Sequence, residues 1–212
     1  LAGTLSSLGR FKEADEEFNR IMAQGLKSPR LEIEFEKEKA GLDFQKLSFD
    51  DSLNRLEALL ARTRKEKKTA YEMEVLNQIC PKYAEAGRLD KGLTICTSLL
   101  KQYKDRPAQL VTAQYGLAEI YMAKRQNNLA VNYARQAVSN AETSGIPINV
   151  WYSLLVLTQC LHQSGNPEWT TTRERTRSVL AEIRKDFGET NMKQYLSRPI
   201  IDRRYKAVAT LN

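Results

Sequence analysis

The stretch Gly116-Leu117-Ala118-Glu119-Ile120-Tyr121, followed by Ala130, Tyr133-Ala134 and Ala137, decides how this chain is read. It sets Leu, a small residue and Tyr on one face of a first helix, and Ala at the close-packing points of a second. Small side chains are needed there because paired helices approach closely, and a bulky group would hold them apart. The layout recurs in both directions. Gly9, Gly87 and Gly165 each end an apolar helix and precede another, 78 residues apart, with Leu47 and Arg125 at the intermediate turns. The small position of each second helix reads Ala14, Ser52, Gly92, Ala130 and Thr170, in steps of 38, 40, 38 and 40 residues. Self-similarity at a fixed period of this length marks a helical-repeat architecture. Glycine suits the turns because a helix ends most easily on a residue in the left-handed conformation.

Five hairpins follow from this period. The first is incomplete, its first helix entering at Leu1 and its second covering about 12–24. The others pair about 30–46 with 49–66, 69–86 with 89–104, 107–124 with 127–144, and 147–164 with 167–187. Apolar spacing supports them, as in Leu53, Leu56, Leu59 and Leu60, or Leu93, Cys96, Leu99 and Leu100. Ser28-Pro29, Arg106-Pro107 and Ile146-Pro147 start helices where a proline is tolerated. The last hairpin departs from the pattern, with Thr170, Glu174 and Arg177 at small or apolar positions. A shift of one or two residues there would make Trp169, Leu180, Ile183 and Phe187 the core contacts.

The spacing from Ala118 through Tyr121 and Ala130 to Ala137 resembles the tetratricopeptide repeat (TPR) family, at a pitch above its usual ~34 residues. The resemblance covers residues 1 to about 187, as repeats at about 1–28, 29–67, 68–106, 107–146 and 147–187. It implies an all-α, right-handed superhelical solenoid of antiparallel helix hairpins. Residues 188–212 fall outside the repeat and are read as C-terminal capping or linker helices. An apolar set of Ile200, Ile201, Tyr205, Val208 and Leu211 would cover the final repeat, while Asp202, Arg203, Arg204 and Lys206 would face water.

Composition bounds the function. The 212 residues are 42% hydrophobic and 28% charged, enough apolar material for a continuous core. A formal charge of +7 suits an acidic partner without requiring one. No run approaches the ~18 apolar residues a membrane helix needs, so no membrane partner is expected. The opening Leu1-Ala2-Gly3-Thr4 has neither initiator Met nor signal pattern, so a region of a longer polypeptide is expected. Cys80, Cys96 and Cys160 are odd in number and set in apolar contexts. They read as buried reduced thiols, which favours the cytoplasm.

Enzyme signatures are absent. There is no phosphate-binding Gly-x-x-x-x-Gly-Lys-Ser/Thr loop and no Gly-x-Ser-x-Gly elbow. His162 is the only histidine, so any Cys-His or Ser-His mechanism, and any His-containing metal site, would have to use it. No catalytic residue, metal or cofactor is expected.

The family resemblance implies instead that first helices line a concave surface where a peptide or partner domain binds. Carried over by position, that surface takes Lys37 and Phe44 from the second repeat and Glu74, Asn77, Gln78 and Pro81 from the third. Tyr115, Glu119 and Met122 follow from the fourth, and Tyr152, Gln159 and His162 from the fifth. Chaperone-binding members grip a C-terminal carboxylate with a Lys-Asn-Asn-Lys-Arg set. Here Gly41 and Pro81 stand where polar groups would be needed, and Lys37 with Asn77 do not make a clamp. Pro81 removes an amide inside a predicted helix and would kink it. If that bend shapes the groove, Pro81→Ala is expected to change partner affinity, which a binding titration reads directly.

The basic run Arg62-Thr63-Arg64-Lys65-Glu66-Lys67-Lys68, and ten Lys or Arg against six Asp or Glu in 168–212, raise nucleic acid as the rival partner. The run lacks interleaved aromatics and ends a helix, where cations are favoured anyway. A protein-interaction scaffold or regulatory repeat domain is therefore the expectation, with self-association through the terminal repeats also open. Long-pitch arrays resemble those appended to bacterial signalling proteins, an analogy of fold only.

Overall fold

The computed structural model describes residues 1–26, 28–102, 104 and 106–211. Among them are twelve α-helices and no strand. A short α1 (Ala2–Ser7) and α2 (Phe11–Gln24) form the first hairpin. Then come α3 (Pro29–Gln45) with α4 (Phe49–Lys65), and α5 (Thr69–Glu85) with α6 (Leu89–Gln102). The last two hairpins are α7 (Pro107–Ala123) with α8 (Asn127–Ser144), and α9 (Pro147–Gln163) with α10 (Trp169–Phe187). Two shorter helices follow, α11 (Glu189–Leu196) and α12 (Pro199–Ala209). The predicted end of the helix over 89–104 runs into Tyr103, which lies outside the described residues.

The turn positions behave as the repeat requires. Gly9, Leu47, Gly87, Arg125 and Gly165 all have positive φ, between 61° and 74°. Each follows the first helix of a hairpin and reverses the chain into the second. At Leu47 and Arg125 a side chain is forced into the left-handed region, where glycine would be unstrained.

The small positions also hold. Ala14, Ser52, Gly92 and Ala130 are buried. A Cβ on Gly92 would lie 2.9 Å from Ile120 Cδ1 and 3.0 Å from Tyr83 Cβ, so α6 sits against α5 and α7 so closely that any larger residue would push those side chains back. Gly116 plays the same part on α7, where a Cβ would meet Cys80 Sγ at 3.0 Å and Pro81 Cα at 3.3 Å. The fifth position is shifted: Thr170 is exposed, and Thr172, Thr176, Leu180 and Ile183 turn inward. The anticipated slip is thus two residues. It adds a turn at Pro167 and Glu168, and it leaves Phe187 exposed rather than in the core.

Packing divides the chain into two compact units, residues 1–79 with 190–203, and 80–189 with 204–211. In the first, Phe18 meets Phe35 edge-on at 5.2 Å, and Ser52 Oγ donates to the Ala40 carbonyl at 2.6 Å. The turn at Gly9 lies beside Arg198 and the Gln194 carbonyl. Asp15 on α2 accepts from Lys39 of α3 and from Lys46 just beyond it, each at 2.5 Å. Burial pushes the Asp15 carboxyl up, but those two lysines outweigh it and hold the pKa below the usual aspartate value. A depressed carboxyl stabilises the fold above its unfolded pKa of about 3.9, and that gain is lost as pH falls through the folded pKa. Asp15→Asn is therefore expected to cost about 0.5 kcal/mol at about pH 7. At a pH low enough to protonate Asp15 in the folded chain it should cost nothing. Paired thermal melts at the two pH values check this.

In the second unit, Cys80 and Cys96 are joined by a disulfide, S–S 2.01 Å, with Cα atoms 5.2 Å apart. This corrects the reading of three reduced thiols. Inward-facing positions on the facing helices α5 and α6 bring the sulfurs into bonding range, and the cysteine argument for a reducing cytoplasm falls away. Cys160 alone is a free, buried thiol, and burial pushes its pKa up to about 12, so it stays protonated and unreactive. Closing a loop of sequence separation 16 constrains the unfolded chain. Reduction is expected to lower stability by about 3 kcal/mol. Urea unfolding with and without a thiol reductant measures it.

No described helix is long and apolar enough to cross a membrane.

Candidate functional site

Each proposed contact residue can be placed within its own unit. In the first, Lys37 is buried rather than offered to solvent. Its ammonium is held by Glu34 at 3.1 Å and, more tightly, by Glu74, which joins α3 to α5. Burial disfavours the charge, but the two carboxylates outweigh it and raise the lysine pKa. Phe44 is also buried, tilted against Phe49 at 5.2 Å across the hairpin turn. Asn77 and Gln78 are half-buried on α5. A cleft of about 640 Å³ opens among α1, α2 and α3, lined by Phe18, Ile21, Leu26, Leu31 and Phe35.

In the second unit, four residues from three first helices converge. Glu85 extends from α5, Tyr115 and Glu119 from α7, and Tyr152 from α9, helices that present equivalent faces because the repeat sets the same register in each. The Tyr115 and Tyr152 rings lie 4.8 Å apart. Into this group reaches Arg204 of α12. Its Nε donates to Glu85 Oε2 at 3.1 Å, one terminal nitrogen makes a shorter contact to the same oxygen, and the other bonds Glu119 Oε1. The guanidinium carbon stands 4.9 Å from the centre of the Tyr152 ring. The side chains of Arg204, Glu85 and Glu119 are 9%, 10% and 11% exposed, so this is a buried ion cluster. Burial opposes the charge on Arg204, and Glu119 and Tyr152 overcome it and push the pKa up. Burial also raises the Glu119 carboxyl, against the pull of Arg204. Glu119 Oε2 has no hydrogen-bond partner among the described residues.

The other proposed residues lie apart from this cluster. Met122 packs on α9, its sulfur 3.9 Å from Cys160 Sγ and its carbonyl accepting from Gln163. Gln159 is half-buried. His162 is exposed and meets Trp169 edge-on at 5.1 Å, in the turn of its own hairpin. Pro81 lies within an unbroken α5, its backbone close to Gly116.

The expectation that Arg204 faces water is overturned. It is 8% exposed. The signal was present: Ile200, Arg204 and Val208 recur at four-residue spacing, so Arg204 lies in the middle of the apolar stripe of α12. Reading arginine as polar by type hid it.

No family model matches the sequence, and no curated protein matches it. Solved structures do. Bacillus thuringiensis PlcR, in complex with the peptide PapR7 and DNA, superposes with TM-score 0.70 over 99% of this chain and 72% of its own, at 13% identity. A Rap protein complexed with Competence and Sporulation Factor gives 0.70 over 96% of this chain and 58% of its own, at 15% identity. BtubC (BKLC) from P. vanneervenii gives 0.66 over 86% of this chain and 78% of its own, at 14% identity. The fold is a TPR-like helical repeat. At such identities the likeness extends to the backbone, and this TPR-like chain's site must be argued from its own residues.

Proposed function

We propose that this chain is a protein-interaction scaffold that binds a peptide segment or partner domain on the face built by its first helices. The observation that carries the reading is the cluster of Glu85, Tyr115, Glu119 and Tyr152 around Arg204. Three helices of the repeat array jointly hold a side chain from a helix that is not part of it. A face that holds one helix through buried charge and aromatic contact has the chemistry of a recognition surface. PlcR, which shares the fold, was captured with the peptide PapR7, and the Rap protein with Competence and Sporulation Factor. That supports the same class of ligand here.

A nucleic-acid role is the second reading, favoured by the DNA in the PlcR complex and by the basic stretches. Their charges are largely used internally. Arg62 pairs with Glu32 and Glu66, Arg64 with Glu72, and Lys68 with Glu66. Arg175 pairs with Glu142, Arg177 with Glu174, and Arg184 with Glu189. Cations already spent on carboxylates release few counterions on binding a phosphate backbone. The apolar cleft among α1, α2 and α3 is the surface on which self-association would act.

A peptide array probed with the intact chain, followed by hydrogen-exchange footprinting of the best binders, tests the proposal. Protection on α5, α7 and α9 is expected. Protection confined to other faces, or binding only to generic DNA with a steep salt dependence, overturns it.

A further inference from the structure

We infer that Glu85, Glu119, Tyr115 and Tyr152 form an arginine-binding site, that Arg204 is its tethered occupant, and that an arginine-bearing helical segment of a protein partner takes the site by displacing α12. This rests on the reading above that the first-helix face receives protein segments, and it names the chemistry that the face selects.

Charge is the first argument. Two buried carboxylates face one guanidinium, and with α12 lifted away both would lose that partner. Such a pocket cannot stay empty of cations without cost. Geometry is the second. Contacts from three nitrogens of one planar group to two carboxylates, with an aromatic ring over its face, match the fork of arginine and not the point charge of lysine. The spare acceptor is the third. Glu119 Oε2 is buried without a hydrogen-bond donor among the described residues, so Arg204 does not exhaust the site, and a ligand arginine set slightly deeper could engage both Glu119 oxygens.

The occupant supplies the template. Arg204 is followed one helical turn later by buried Val208, and Arg173 of α10 donates to the Leu211 carbonyl, which ties down the far end of α12. A competing segment therefore carries an arginine with an apolar residue four positions on. Because a tethered group acts at an effective concentration of about millimolar, the latch raises the affinity that a free ligand needs. Partner binding would then release α12 and expose its apolar stripe.

The test uses a synthetic peptide of residues 197–211, and the same peptide carrying Arg204→Ala, titrated against two full-length chains. In the Arg204→Glu chain, like charges on Glu85 and Glu119 eject the latch. That chain is expected to bind the arginine peptide about thirtyfold more tightly than the alanine peptide, the usual loss on truncating one side of a buried charge pair. The unaltered chain, which needs no substitution and so no refolding control, should bind the arginine peptide more weakly. Under saturation its amide exchange should rise across 204–209 with the arginine peptide and not with the alanine peptide. Equal binding of both peptides, or exchange across 204–209 that the arginine peptide does not change, overturns the inference and leaves Arg204 as an internal brace. Array peptides that protect α5, α7 and α9 without any preference for arginine would sink this inference and keep the proposed function. Protection nowhere on those helices would sink both.

Discussion

Trp151→Ala is expected to lower the free energy of unfolding by about 3–5 kcal/mol, the range for deleting a fully buried aromatic side chain. Trp151 has no exposed surface, the largest of the fully buried side chains, and it meets Tyr152 edge-on at 6.5 Å. It sits on α9, which packs against α7, α8 and α10 together. Removing the indole leaves a cavity, and a helix held by three others cannot collapse into it cheaply. Urea unfolding followed by far-ultraviolet circular dichroism gives the number. A loss under about 1 kcal/mol would mean the site relaxes as an exposed position does.

Much of this core was legible in the sequence for a physical reason. Repeats restate the same local requirement, so a weak signal at one site is confirmed by its copies. The turn at Arg125 could not be read from arginine itself, yet its place midway between Gly87 and Gly165 predicts the positive φ that the structure shows, 61°. The small position shows the same logic and its limit. Ala14, Ser52, Gly92 and Ala130 are buried at the expected points, while the extra turn before α10 moves the fifth to Thr172. An insertion breaks the copying rule: polar residues at Thr170, Glu174 and Arg177 announce that the register has slipped, but not by how much.

The site was legible only as a surface. Helix periodicity brings Tyr115 and Glu119 of α7 and Tyr152 of α9 to one face of two first helices, and those three do converge on Arg204. Their occupant was not foreseen, because Arg204 meets Glu119 across 85 residues and Glu85 across 119, and no periodicity spans such separations. Lys37 is the opposite case. Its position faces the next first helix, but Glu34 and Glu74 already neutralise it. A charged residue on a repeat face can be satisfied by its neighbours before any ligand arrives, and only coordinates separate the two cases. The disulfide between Cys80 and Cys96 belongs with these. Apolar contexts made burial readable; the bond was not.

Arg204→Ala is expected to cost about 3–5 kcal/mol, because breaking a buried ion pair strands charge in a place where water cannot reach it. The cost comes from Glu85 and Glu119 rather than from the lost arginine contacts, and that distinction can be measured. Adding Glu85→Gln and Glu119→Gln to Arg204→Ala removes the charges that Arg204 had faced, so the triple variant should regain most of the loss. Glu119→Gln alone should be milder than Arg204→Ala, since Arg204 would keep Glu85, with which its Nε and one terminal nitrogen already bond. If the triple variant is no more stable than Arg204→Ala, the penalty arises from packing around α12 instead. Van der Waals contact and the stacking on Tyr152 would then dominate the attachment of this helix. The ordering of the three variants in denaturant midpoint, at unchanged slope, decides between charge and packing.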